Sequence, residues 1–122
     1  MDERAPTGAS GAAQGWLLRD GKVLASLEIP DTRGLRARGL VGRDGIEGAM
    51  LFRRCRSVHS IGMQFELDVA FLDGDDVVIR TLRLPRWRVT VPVWKARSVL
   101  EAEAGAFGRW ELGIGDELEI RE

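Results

Sequence analysis

Cysteine and histidine are almost missing from this 122-residue chain: Cys55 and His59 are the single examples of each. One thiol excludes an internal disulfide framework, and one thiol with one imidazole excludes a zinc site of the usual Cys and His composition, so neither a metal nor a cofactor is expected. Long apolar runs are missing too. No stretch approaches the roughly 18 residues of a membrane span, and no membrane is expected among the partners. A charge of one sign is also lacking, since 18 basic side chains against 19 acidic ones leave a formal charge of −1. That balance argues against a nucleic-acid binder that uses its whole surface, so any such role needs a local patch. What is present is 44% hydrophobic content in a chain long enough for one core and too short for two.

Residues 1–15 are rich in Gly, Ala and Pro without a periodic apolar face, which predicts a flexible tail followed by one domain over residues 16–122. Asp2 and Glu3 stand where a secretory signal carries positive charge, and together with the lone thiol this makes the cytoplasm the expected compartment. From Trp16 onward, short apolar runs alternate with Gly and Asp turns at the spacing of a mainly β domain, a small sandwich or barrel. Strands are predicted at Trp16 to Arg19, Lys22 to Ile29, Ala49 to Arg53, Arg56 to Ile61, Leu67 to Leu72, Val77 to Leu84, Trp87 to Val93, Ser98 to Glu103 and Glu117 to Arg121. Asp20-Gly21 is a type I′ hairpin dipeptide. Two short helical segments complete the reading, one capped by Asp31 or Thr32 and stopped at Gly42, the other from Ala104 to about Leu112 and closed by Gly113. In Trp87 to Val93 the apolar side chains Trp87, Val89, Val91 and Val93 share one face, which is expected to be core.

Five segments occur together in order: Arg38-Gly39-Leu40-Val41-Gly42-Arg43, Gly48-Ala49-Met50-Leu51-Phe52, Leu67-Asp68-Val69-Ala70-Phe71-Leu72-Asp73, Val99-Leu100-Glu101 with Gly105, and Gly115-Asp116. This set resembles the small-protein family called domain of unknown function 192. The chain departs from the common family pattern at Val41, at His59-Ser60-Ile61-Gly62-Met63 and at Glu66. The resemblance implies a small β-sandwich or barrel and implies no reaction, ligand or catalytic residue.

Chemistry-bearing residues are few. Cys55 and His59 invite a nucleophile and base reading, but on an extended strand they stand roughly 13 Å apart, which argues against it. His59 and Asp68 make a better pair if their segments fold as antiparallel neighbours. Arg36, Arg38 and Arg43 surround the turn Gly39 to Gly42 and can hold a small anionic ligand through guanidinium forks. The expected site is a cleft where Arg38, Arg43, His59, Asp68 and Glu101 converge, in a binding or accessory module. A small hydrolase using His59 with Asp68 or Glu101 as acid and base is the alternative from another class. Arg80 to Arg97 carries six cations and no acid, with Arg83, Arg86, Arg88, Trp94, Lys95 and Arg97 as candidates for an anion or nucleic-acid patch. Against this stands self-pairing, because Glu101 to Glu122 carries seven acids against two arginines.

Overall fold

The structure, a computed structural model, describes residues 13–122. Two short helices and seven strands follow in the order β1 (Ala13–Arg19), β2 (Lys22–Ile29), α1 (Arg33–Arg38), β3 (Ala49–Arg53), β4 (Leu67–Leu72), β5 (Val78–Leu84), β6 (Ser98–Glu103), α2 (Ala106–Trp110) and β7 (Glu119–Arg121). The first strand begins at Ala13, so residues 13–15 belong to the sheet and not to a tail; the rest of the tail expectation lies outside the described residues.

All seven strands form one sheet in the order β5-β4-β6-β3-β2-β1-β7. Every ladder is antiparallel except β2 with β3, where α1 makes the crossover. The sheet is not closed. One isolated bridge, Val77 to Glu117, links the approaches to its two edge strands β5 and β7. The Asp20-Gly21 turn has both residues at positive φ, as a type I′ hairpin requires.

Strand alternation sorts the apolar side chains into two clusters, one on each face. Leu27, Leu51, Ala70, Leu72, Leu100 and Ala102 pack on one face with α2 over them. Met50, Phe52, Val69, Phe71 and Val99 occupy the other, covered by Leu40 and Ile46 from the connection after α1 and by Met63 from the loop between β3 and β4. The central strands β4 and β6 are therefore buried on both faces, which is why they read as continuous apolar runs.

Three expectations are corrected. The segment Arg56 to Ile61 is a loop with a single bridge, His59 to Val89. Trp87 to Val93 is likewise a loop, and Trp87, Val89 and Val91 of its apolar face point to solvent: Trp87 is 58% exposed and Val91 76%, while Thr90 between them is buried and Val93 packs half-buried against the core. Buried hydroxyls decide that orientation. Thr90 Oγ1 accepts from Val58 N at 2.9 Å, and Ser60 Oγ accepts from Arg88 N at 2.9 Å while donating to the Pro85 carbonyl. Finally, α1 stops at Gly39 rather than Gly42, and α2 at Glu111 rather than Gly113. Thr32 is the N-cap, its side chain accepting from Leu35 N at 3.1 Å.

Candidate functional site

A cleft of about 130 Å³ opens between α1 and its following turn, the end of β3, and the loop of residues 55–63. Leu40, Val41, Phe52 and Met63 form apolar walls, Arg36 and Arg38 stand on the α1 side, and Cys55, Ser57 and His59 line the loop side. Gly39 is required where α1 meets the wall. Its φ is +49°, and a Cβ there would sit 3.3 Å from the Phe52 ring.

Glu101 also lines the cleft. It lies on the central strand β6, opposite Met50 of β3 and Val69 of β4, and is only 3% exposed. Its carboxyl has no hydrogen-bond or ion-pair partner among the described residues. No side-chain oxygen or nitrogen sealed from solvent lacks a partner among those residues, so the Glu101 oxygens are open to the cleft. Burial pushes its pKa up to about 8, and near neutral pH the group is mainly a neutral acid able to donate a hydrogen bond.

The neighbouring groups divide into committed and free. Arg36 donates to the Arg53 carbonyl at 2.6 Å and thereby pins α1 to the end of β3. Arg38 is exposed and its guanidinium has no partner among the described residues. Cys55 Sγ donates to the Ser57 carbonyl at 3.1 Å, and burial pushes the thiol pKa up, which disfavours the nucleophilic thiolate. His59 Nδ1 accepts from Ile61 N at 3.1 Å, leaving Nε2 as the nitrogen that carries the proton in the neutral ring. Because residues 54–61 are not extended, Cys55 and His59 do line one cleft, yet no hydrogen bond joins them.

Of the five residues expected to converge, the structure brings Arg38, His59 and Glu101 together and leaves out Arg43 and Asp68. Arg43 is held by Glu28 through two contacts of 2.7 and 2.9 Å, which raise the guanidinium pKa further. Asp68 lies on the opposite sheet face. Glu101 faces Val69, and the residue before Val69 must point the other way. There its carboxylate accepts from Arg83 Nε at 2.8 Å, Gly105 N at 2.9 Å and Phe107 N at 3.1 Å, tying β4 to the start of α2. The His59 and Asp68 pair is therefore not assembled, and the hydrolase alternative loses that half of its acid and base.

The basic stretch is also resolved into contacts. Among the described residues only Arg83 of the run pairs with an acid, and that acid is Asp68, so no residue of the run pairs with the acids of Glu101 to Glu122. Arg86 donates to the Met63 carbonyl, Arg88 to the Trp87 carbonyl, and Arg97 to the carbonyls of Trp94 and Ala96. Lys95 and Trp94 are exposed. Among the described residues, no group of three or more His, Cys, Asp or Glu side chains is placed to hold a metal ion.

The model of the domain of unknown function 192 family, described as "Uncharacterized ACR", matches residues 16–120. The chain belongs to this family. A UPF0127 protein of Thermococcus gammatolerans is 30% identical over 96 residues, which is 74% of this chain and 63% of that protein. A second UPF0127 protein, from Pyrococcus abyssi, is 32% identical over 63 residues, covering 52% of this chain and 54% of its own length. The chain thus spans just over half to somewhat under two thirds of these relatives. A crystal structure of a protein of unknown function from Novosphingobium aromaticivorans shares the fold, with a TM-score of 0.77 at 21% identity over 97% of this chain and 93% of that one.

Within this family member, the cleft also uses Phe52 and Met63, which sequence reasoning did not mark as site residues, alongside Cys55 and Arg36, which it weighed in other roles. Glu101 had a visible signal. It breaks the apolar pattern of β6 on the face it shares with Val99.

Proposed function

We propose that this domain is a binding module for a small organic anion with an apolar body, taken up in the Glu101 cleft. The observation that carries the reading is the buried, unpartnered Glu101 carboxyl opening into an apolar-walled space. The Glu101 oxygens are open to the cleft, so a ligand seated there meets a protonated carboxyl able to donate a hydrogen bond. Arg38 in the lining, without a side-chain partner among the described residues, supplies a cation for the anionic end. The cleft is smaller than the roughly 300–1,000 Å³ of drug-sized sites, so the fit is to a small acid of few carbon atoms or one ring. A cytoplasmic location is part of this reading, supported by a lone cysteine that cannot form an internal disulfide.

Thermal-shift measurements with acetate, benzoate, phenyl phosphate and inorganic phosphate test the proposal. Benzoate or phenyl phosphate is expected to raise the melting temperature, inorganic phosphate not, and Arg38→Ala to remove the response. Ionising Glu101 would place a second negative charge against the ligand, so binding should weaken as pH rises through about 8, and Glu101→Gln should remove that dependence. No stabilisation by any of the four, or an unchanged response in Arg38→Ala, would reject the assignment.

A further inference from the structure

Eight large apolar side chains stay exposed among the described residues, and five of them, Ile61, Trp87, Val89, Val91 and Trp94, lie on two loops that are hydrogen-bonded to each other. The loops are residues 54–63 and 85–97. Thr90 N donates to the Val58 carbonyl at 2.9 Å, Val93 N to the Arg56 carbonyl at 3.0 Å and Ser60 N to the Arg88 carbonyl at 2.8 Å. This is an ordered surface. With Thr90 turned inward, its neighbours Val89 and Val91 on either side are both turned out, and Trp94 is 75% exposed.

The same two loops carry Arg54, Arg56, Arg86, Arg88, Lys95 and Arg97 without one Asp or Glu. Among the described residues none of these six cations makes an ion pair with a carboxylate; the hydrogen bonds of Arg56, Arg86, Arg88 and Arg97 go to backbone carbonyls. No carboxylate of the described residues neutralises them, although the chain as a whole is nearly neutral. Exposed apolar side chains and cations interleaved on two joined loops call for a partner that is both hydrocarbon and anionic. Single-stranded nucleic acid would satisfy the indole rings and the charges by stacking and phosphate contact, but it offers no hydrocarbon for Val89, Val91 and Ile61.

We propose that these two loops dock the protein onto the surface of an anionic phospholipid bilayer, with Val89, Val91, Trp87 and Trp94 in the interfacial layer and the arginines and Lys95 on the headgroups. No helix among the described residues is long and apolar enough to cross a membrane, which bears on spanning and not on lying against one. Indole rings suit the boundary because one edge is apolar and the N–H is polar. The patch shares the loop of residues 54–63 with the cleft, but none of its five apolar side chains lines the cleft.

Co-sedimentation of the full chain with vesicles tests this. The protein is expected to pellet with vesicles of equal parts phosphatidylglycerol and phosphatidylcholine, to stay in solution with phosphatidylcholine alone, and to release as salt is raised. Indole emission should shift to the blue on binding. Val91→Asp and Trp94→Ser, both at solvent-facing positions and checked for folding by circular dichroism, should each weaken partitioning at least about tenfold. Failure to pellet with the anionic vesicles at low salt, or full binding by both variants, overturns the proposal. Binding to a thymidine oligonucleotide in preference to vesicles assigns the surface to nucleic acid instead, and a dimer in vesicle-free buffer that Val91→Asp makes monomeric assigns it to a second copy.

Discussion

Glu101 and Asp68 are both buried acids on neighbouring strands, and their surroundings give them opposite properties. Asp68 has three donors and serves as a tie between β4, β5 and α2. Asp68→Ala orphans two backbone N–H groups and is expected to cost about 2–4 kcal/mol. Arg83→Ala removes only a partner whose side chain is 54% exposed, and should cost at most about 1 kcal/mol. Urea denaturation of the two variants checks the order. Glu101 has burial and no donor, so its folded pKa lies above its unfolded value. The folded chain then holds the proton more tightly, and stability falls as pH rises from about 4.5 through about 8. Denaturation midpoints at intervals across that window should decline by an amount on the order of a few kcal/mol in the parent and stay nearly level in Glu101→Gln. A level parent curve would mean that the carboxyl is solvated or paired.

At the scale of elements, the parallel joint between β2 and β3 is where the fold tolerates least. Gly48, at φ +77°, precedes β3 and sits so close to β2 that an added Cβ would meet the Ser26 carbonyl oxygen at 2.3 Å. Gly21 has the same φ of +77° at the hairpin tip, with nothing within 4 Å. Gly21→Ala therefore bears only the left-handed backbone cost of about 1–2 kcal/mol, whereas Gly48→Ala adds backbone overlap and should lose about 3 kcal/mol or more. Thermal melts of the pair separate conformational strain from steric exclusion. The joint also positions the cleft, because α1 and the Gly39 turn are the crossover that leads into it.

For the whole molecule, the two ends of the described chain are neighbours in one sheet. β7 pairs with β1, Arg19 bonds Asp116 at 2.8 Å, and Leu118 joins the cluster formed by Leu17 and Val78. The final residues thus link strands that are distant in sequence, including the Val77 to Glu117 bridge next to β5. Removing residues 116–122 should abolish cooperative unfolding rather than merely fray an end, as judged by loss of a sigmoidal melt and of dispersed amide resonances. Survival of a cooperative transition would show that the other six strands are self-sufficient.

Short apolar runs located the central strands, and local chemistry marked the Asp20-Gly21 hairpin and a helix cap at Asp31 or Thr32, because each depends on residues within a few positions of one another. The family segments were readable for the same reason. Periodicity reports that two faces differ without saying which one is buried. For residues 87–93, the hydroxyls of Ser60 and Thr90 turned the apolar side chains outward, and for Asp68 the register of β4 against β6 set it on the far face from Glu101. Arg38, His59 and Glu101 come from α1, a loop and the central strand, so their meeting was a product of long-range register and loop closure. Their types were legible in the sequence; their common cleft, the free carboxyl in it and the exposed basic and apolar loops were decided by the tertiary structure, where solvent access and partner groups are set.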